Sequence, residues 1–88
     1  MKLIIAIIRD EASEPTLESL IKNEYRATRI ASTGGFLRRG LTTLMIGVDD
    51  EKVDQALNII KEICAPMSLE NQRAATVFVL NVGQFLQI

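Results

Sequence analysis

Histidine and tryptophan are absent from this 88-residue sequence, and cysteine occurs once, at Cys64. A single cysteine excludes a disulfide within the chain, and without histidine there is no Cys/His set for zinc and no imidazole for acid–base catalysis. Long hydrophobic runs are also missing, because the apolar stretch that ends at Ile8 is too short to cross a bilayer and lacks a small-residue cleavage site. We therefore expect a cytoplasmic protein without membrane insertion, metal site or cofactor, and we do not expect an enzyme.

An excess of positive charge is also missing, and the net charge of −1 argues against a partner that is a nucleic acid. The distribution is less even than the total. Between residues 25 and 48 there is no acidic residue, yet the segment contains Arg26, Arg29, Arg38 and Arg39. This concentration of positive charge indicates a site for an anion.

The spacing of apolar residues predicts one α+β domain over residues 1–88. Alternation or continuous β-type runs predict strands at residues 2–8, 25–32, 41–48 and 75–82. Helical spacing predicts a helix from an N-cap at Ser13 to Asn23 and a second helix from Asp49 to Cys64. The order β-α-β-β-α-β predicts a ferredoxin-like fold, a four-stranded antiparallel sheet with two helices on one face.

The first and last strands of this fold predict a subunit interface. The first strand is apolar on both faces, and the last has Thr76, Phe78 and Leu80 opposite Val77 and Val79. The two helices cover only one face of the sheet, so the other face would leave a large apolar patch in water. A chain this short is also marginal as a monomer, and we expect the uncovered face to meet another subunit.

The loop between the second and third strands holds most of the available chemistry. Adjacent glycines, Gly34 and Gly35, allow backbone N–H groups to converge on an anion, and Phe36 offers a ring that can stack on a base. Arg38 and Arg39 follow. Glycine pairs also serve hairpin turns alone, and loop arginines are often only solvated, so the structural and the functional interpretation both stay open.

The other reactive residues favour structural roles. Cys64 lies on the apolar side of the second predicted helix, where it acts as a small core residue. The acidic pairs Asp10–Glu11 and Asp49–Asp50 fall where strands lead into helices, and acids favour helix N-termini. These residues indicate neither a nucleophile nor a metal centre.

Several stretches resemble the PII-like cyclic-di-AMP receptor family: MKLIIAIIRDE, KNEYRATRIASTGGFLRRG with the TT that follows, IGVDDEKVD, and ATVFVLNVGQF. The resemblance runs along nearly the whole chain. It implies a PII-like, ferredoxin-like signal transduction protein that forms a cytoplasmic homotrimer, binds cyclic di-AMP in clefts between adjacent subunits and regulates a partner protein without catalysis.

The same resemblance implies a set of ligand-binding residues. Arg26 and Thr28 would approach the phosphates and ribose. The wall of the pocket would be formed by Gly35, Phe36 and Leu37. Gly47 would let the ligand lie close to the third strand, and Gln87 would reach into the same cleft.

Two departures from the family pattern make this a short-loop variant. Family members usually have an asparagine where this chain has Leu41, which has no group that can hydrogen-bond a base edge. The segment before the last strand, long in the family, is reduced here to about residues 66–74. The chain therefore signals through residues 34–40 alone, binds another nucleotide, or keeps the trimer without the ligand. A structural or metal-handling trimer of similar fold, like the divalent-cation-tolerance proteins, is the alternative.

Overall fold

A computed structural model of the chain describes residues 1–30, 40–68 and 73–88. Within these ranges the elements are β1 (Lys2–Arg9), α1 (Asp10–Lys22), β2 (Arg26–Ile30), β3 (Leu41–Val48), α2 (Val53–Cys64) and β4 (Ala75–Asn81). Short 3-10 turns at Asp50–Lys52 and Ala65–Met67 flank α2. No helix in the described part of the chain is long and apolar enough to cross a membrane.

The strands of these ranges form one antiparallel sheet in the order β2-β3-β1-β4. Because β1 lies between β3 and β4, strands from both ends of the sequence share one sheet. This topology, with the two helices α1 and α2, is ferredoxin-like and confirms the predicted α+β fold class.

The core lies between the sheet and the helices. Alternate residues of β1, at Ile4, Ala6 and Ile8, are fully buried, and Leu44 and Ile46 of β3 are buried beside them. The helices contribute Ala12, Leu20, Ala56, Ile60 and Cys64 to the same cluster. Since successive strand residues point to opposite faces, the remaining residues of β1 and β3 line the face that no helix covers.

Helix α1 begins four residues earlier than the sequence predicts, with its N-cap at Arg9. The predicted N-cap, Ser13, lies inside the helix and is buried, and Pro15 lies beyond the first turn. The reason is a long-range contact: the backbone N–H of Asp10 donates to the carbonyl of Gly40 at 2.8 Å. This bond satisfies one of the N–H groups that a helix start leaves without an intrahelical partner, so β1 leads directly into α1.

The junction between β1 and α1 fixes the ends of both of the chain's longer connections. The backbone N–H of Arg9 donates to the carbonyl of Ala74 at 3.0 Å, one residue before β4, and the next N–H, of Asp10, holds Gly40. The Asp10 carboxylate also accepts a hydrogen bond from the Thr42 hydroxyl. Gly40 has a φ of +92°, a conformation that other residues adopt only with strain.

Candidate functional site

The uncovered face of the sheet is built from rows of directly paired residues. In one row, Arg26 pairs with Gly47, which pairs with Leu3, which pairs with Leu80. The neighbouring row contains Thr28, Met45, Ile5 and Phe78. Directly paired residues of antiparallel strands point to the same side of the sheet, so a polar corner at Arg26 and Thr28 adjoins an apolar surface.

A cavity of about 420 Å³ opens at this corner. It is lined by Met1, Leu3, Arg26, Thr28, Met45, Gly47, Val82, Phe85 and Gln87. Its volume falls within the range typical of small-molecule sites, which combine apolar walls with a few polar groups. The polar groups here are a guanidinium, a hydroxyl and an amide.

Arg26 and Arg29 lie on the same strand but face opposite sides of the sheet. Arg29 points to the helix side of the sheet and forms an ion pair with Glu14 of α1. Within the described ranges Arg26 forms no ion pair, and its side chain is exposed at the cavity. A guanidinium exposed at a cavity is a ready partner for phosphate oxygens.

Gly47 has no side chain and therefore leaves open space above β3. A methyl group built on it would meet the Met1 side chain (Cε) at 3.6 Å, which is an ordinary van der Waals contact. Nothing within the described part of the chain therefore requires glycine at this strand position, where glycine weakens a strand. Close approach of a ligand is the physical reason that fits the position.

We expect Gly47→Ala to keep the free energy of unfolding or raise it by about 0.5–1 kcal/mol, because alanine restricts the unfolded chain. Binding of a ligand packed on β3 should weaken, and Gly47→Val should weaken it further, since added methyl groups in a filled site cost about 1–3 kcal/mol. Thermal unfolding and calorimetric titration measure the two effects. Gly83→Ala, with no atom within 4 Å of the added methyl, is the matched control. Equal affinities for all variants would contradict the assignment.

The segment after β4 brings Gln87 to the cavity. The backbone N–H of Val82 donates to the carbonyl of Met1 at 3.1 Å, which fixes the start of this segment beside β1. Phe85 and Gln87 then both line the cavity. Four of the residues named from the sequence thus lie around one space: Arg26, Thr28, Gly47 and Gln87.

The remaining predicted ligand residues, Gly35, Phe36 and Leu37, lie outside the described residues. The strands on either side of them place their attachment points far from the cavity. Ile30 pairs with Thr43, at the end of the β2–β3 pair opposite to Arg26. Leu41 pairs with Arg9 and lies six residues, about 20 Å of strand, from Gly47.

Sequence reasoning missed the apolar walls of the cavity, including Met45 and Phe85. The sequence indicates both residues by their spacing from a predicted site residue. Met45 precedes Gly47 by two residues, and Phe85 precedes Gln87 by two. Residues separated by two along an extended chain share a face. Adding the residue two positions before Gly47 and before Gln87 to the predicted site would have included Met45 and Phe85.

The other candidate residues have structural surroundings. Cys64 is buried beside the Thr16 hydroxyl at 3.8 Å, and burial raises the pKa of its thiol. Asp10 and Glu11 form the first turn of α1. A hydrogen bond from the backbone, and then the Arg9 side chain, hold the pKa of the Glu11 carboxyl below its usual value. Within residues 1–30, 40–68 and 73–88, no three His, Cys, Asp or Glu side chains are grouped to hold a metal ion.

A ferredoxin-like sheet with an exposed arginine beside an open cavity is typical of a small ligand-binding domain. The chain belongs to the cyclic-di-AMP receptor family, whose model matches residues 1–69. The match includes Arg26, Thr28 and Gly47, whereas Phe85 and Gln87 lie beyond it. Membership favours a binding protein over a catalyst.

A solved structure from Pediococcus pentosaceus ATCC 25745, described as a functionally unknown protein, is similar to this chain. The sequences are 39% identical, the match covers 99% of this chain and 96% of the other, and the TM-score is 0.81. Coverage is nearly complete in both directions, so the two proteins share this fold over nearly their whole length.

Proposed function

We propose that this chain is a PII-like signalling receptor that binds cyclic di-AMP between the subunits of a cytoplasmic homotrimer and regulates a partner protein. The observation that carries the proposal is the grouping of Arg26, Thr28, Gly47 and Gln87 around one cavity. Membership in the cyclic-di-AMP receptor family supports the choice of ligand.

The groups at the cavity suit the chemistry of a cyclic dinucleotide. Arg26 can donate two parallel hydrogen bonds to phosphate oxygens, and the Thr28 hydroxyl lies two residues along on the same side of β2. The apolar walls suit a base, and the Gln87 amide can both donate to and accept from a base edge. Binding requires no catalytic group, and the proposal includes none.

The distances along the β2–β3 pair favour a site shared between copies. Arg26 and Gly47 lie at one end of the pair, and Ile30, the residue before segment 31–39, lies four residues away, about 13 Å of strand, at the other end. In the proposed assembly, Gly35, Phe36 and Leu37 of one subunit complete the cavity of its neighbour. The ligand then connects two subunits, and segment 31–39 is the means by which binding alters a partner protein's contacts.

The uncovered face supports assembly. Phe78 and Leu80 of β4 expose 51% and 45% of their surface there, beside Leu3 and Ile5 of β1. Apolar surface of this extent marks an interface in a folded protein. The trimer itself is proposed from the family resemblance, since an apolar face requires a partner without fixing the symmetry.

Isothermal titration of the purified protein with cyclic di-AMP, after light scattering has measured its mass, tests the proposal. We expect a trimer that binds one cyclic di-AMP per subunit with saturation. ATP, titrated in parallel, should give no heat. The absence of heat with cyclic di-AMP would overturn the proposed ligand.

The same titrations separate the alternatives. Binding of ATP in place of cyclic di-AMP would identify a receptor for another nucleotide. A trimer that binds neither nucleotide would be a scaffold that lost its ligand. Saturable binding of zinc or copper would support the metal-handling alternative and contradict the nucleotide receptor.

A further inference from the structure

The C-terminal segment presents its side chains in alternation at the cavity. Phe85 and Gln87 line it, whereas Leu86 and Ile88 do not. Leu86 exposes 76% of its surface to solvent. An extended segment produces this pattern because successive side chains point to opposite sides. Phe85 and Gln87 therefore form a pair on the cavity side of the segment.

Phe85 has an aromatic face that the chain itself leaves largely uncovered. Its side chain is 56% exposed although it forms part of a cavity wall. The sheet wall of the same cavity contains Gly47, which has no side chain, and the flexible thioether of Met45. A space bounded by an aromatic ring, a glycine and a flexible apolar side chain suits a flat ring system.

We propose that Phe85 stacks on one base of the bound nucleotide, with the neighbouring Gln87 amide at the edge of that base. This inference rests on the proposed function and adds a residue that the family match does not reach. Every base has a π-face, so the ring supplies affinity. The Gln87 amide distinguishes adenine from other bases, since an amide can pair with the donor and acceptor groups of adenine.

This arrangement explains how a base is recognised despite the leucine at position 41. Leu41 lies about 20 Å of strand from Gly47, beyond the reach of a base held at this cavity in the same chain. The base seated between Phe85 and the sheet is independent of Leu41. Only the base that meets the Leu41 region of a neighbouring subunit would lack an amide partner.

The chain has no tryptophan, so Phe85→Trp introduces a single fluorophore at the proposed stacking position. We expect its emission to be quenched, with saturation, by cyclic di-AMP, because stacking on a base quenches an indole. AMP and ATP are titrated as well, because each contains one adenine and therefore tests stacking on a single base. If no adenine compound changes the emission of a folded Phe85→Trp protein, the stacking proposal is overturned.

Calorimetry with Phe85→Leu measures the contribution of the ring while keeping an apolar side chain. We expect cyclic di-AMP affinity to fall roughly 5- to 150-fold, the range found for removing base–aromatic stacking. Leu86→Ala is the matched control, since Leu86 lies next in the chain and faces away from the cavity. Its affinity should equal that of the unchanged protein. Thermal unfolding and light scattering should give the same values for all three proteins.

The outcomes distinguish this inference from the proposed function. If the unchanged protein binds cyclic di-AMP and Phe85→Leu binds it equally well, stacking is wrong and the receptor stands. If cyclic di-AMP gives no heat but AMP or ATP quenches Phe85→Trp, the receptor is wrong and stacking stands. Loss of the oligomer in Phe85→Leu would overturn the inference, because Phe85 would then be an interface residue.

Discussion

Arg26→Ala should weaken cyclic di-AMP binding by about 2–4 kcal/mol, equivalent to roughly 30- to 1,000-fold. The substitution removes the guanidinium that Arg26 contributes to the cavity and leaves a phosphate without its partner. Arg26→Lys should bind with intermediate affinity, since an ammonium keeps the charge but loses the bidentate geometry. Isothermal titration at fixed salt measures both variants.

Arg29→Ala is the matched control for this prediction. Arg29 has the same charge on the same strand, but it points to the helix side and pairs with Glu14. Losing such an exposed ion pair costs about 0–1 kcal/mol of stability and removes nothing from the cavity. Cyclic di-AMP affinity should therefore be unchanged. Equal losses in the two arginine variants would indicate a general effect of charge and contradict a specific phosphate contact at Arg26.

Phe78→Glu should convert the proposed trimer into monomers of 9.8 kDa. Phe78 lies in the apolar part of the uncovered face, beside Ile5, and a carboxylate buried there without a partner costs about 3–5 kcal/mol. Light scattering measures the mass. Cyclic di-AMP binding should be lost together with assembly, because the proposed site needs two subunits.

Ile21→Glu provides the comparison for Phe78→Glu. Ile21 is also a large exposed apolar residue, at 57%, but it lies on α1, in the layer on the other side of the sheet. The variant should keep both the trimer and its ligand. A trimer that survives Phe78→Glu would contradict the assignment of the uncovered face to the subunit interface.

Most of the fold could be predicted from the sequence because periodicity reports burial directly. The strands agree with their predictions to within one or two residues where described, since apolar residues alternate or run continuously in them. The start of α1 could not be predicted from local signals. It depends on the hydrogen bond between Asp10 and Gly40, which are thirty positions apart in the chain, and a local N-cap rule selected Ser13 instead.

Of the candidate site residues, Arg26 could be singled out from the sequence itself, because it lies in a segment that contains arginines and no acidic residue. Thr28, Gly47 and Gln87 were named only through the family resemblance. Phe85 does not stand out, since an aromatic residue near a strand is expected in the core. Its spacing of two from Gln87 is the sequence signal for it, and the position of the C-terminal segment, beside the bond between Val82 and Met1, places it in the cavity lining.

The junction between β1 and α1 has a mechanical consequence. Consecutive N–H groups, of Arg9 and Asp10, hold Ala74 and Gly40, the residues at which the chain re-enters the sheet after each of its two longer connections. Two adjacent peptide units thus anchor the two connections. A displacement of Gly40 therefore strains the peptide unit next to the one that holds Ala74, so the positions of the two connections are coupled through one residue of backbone.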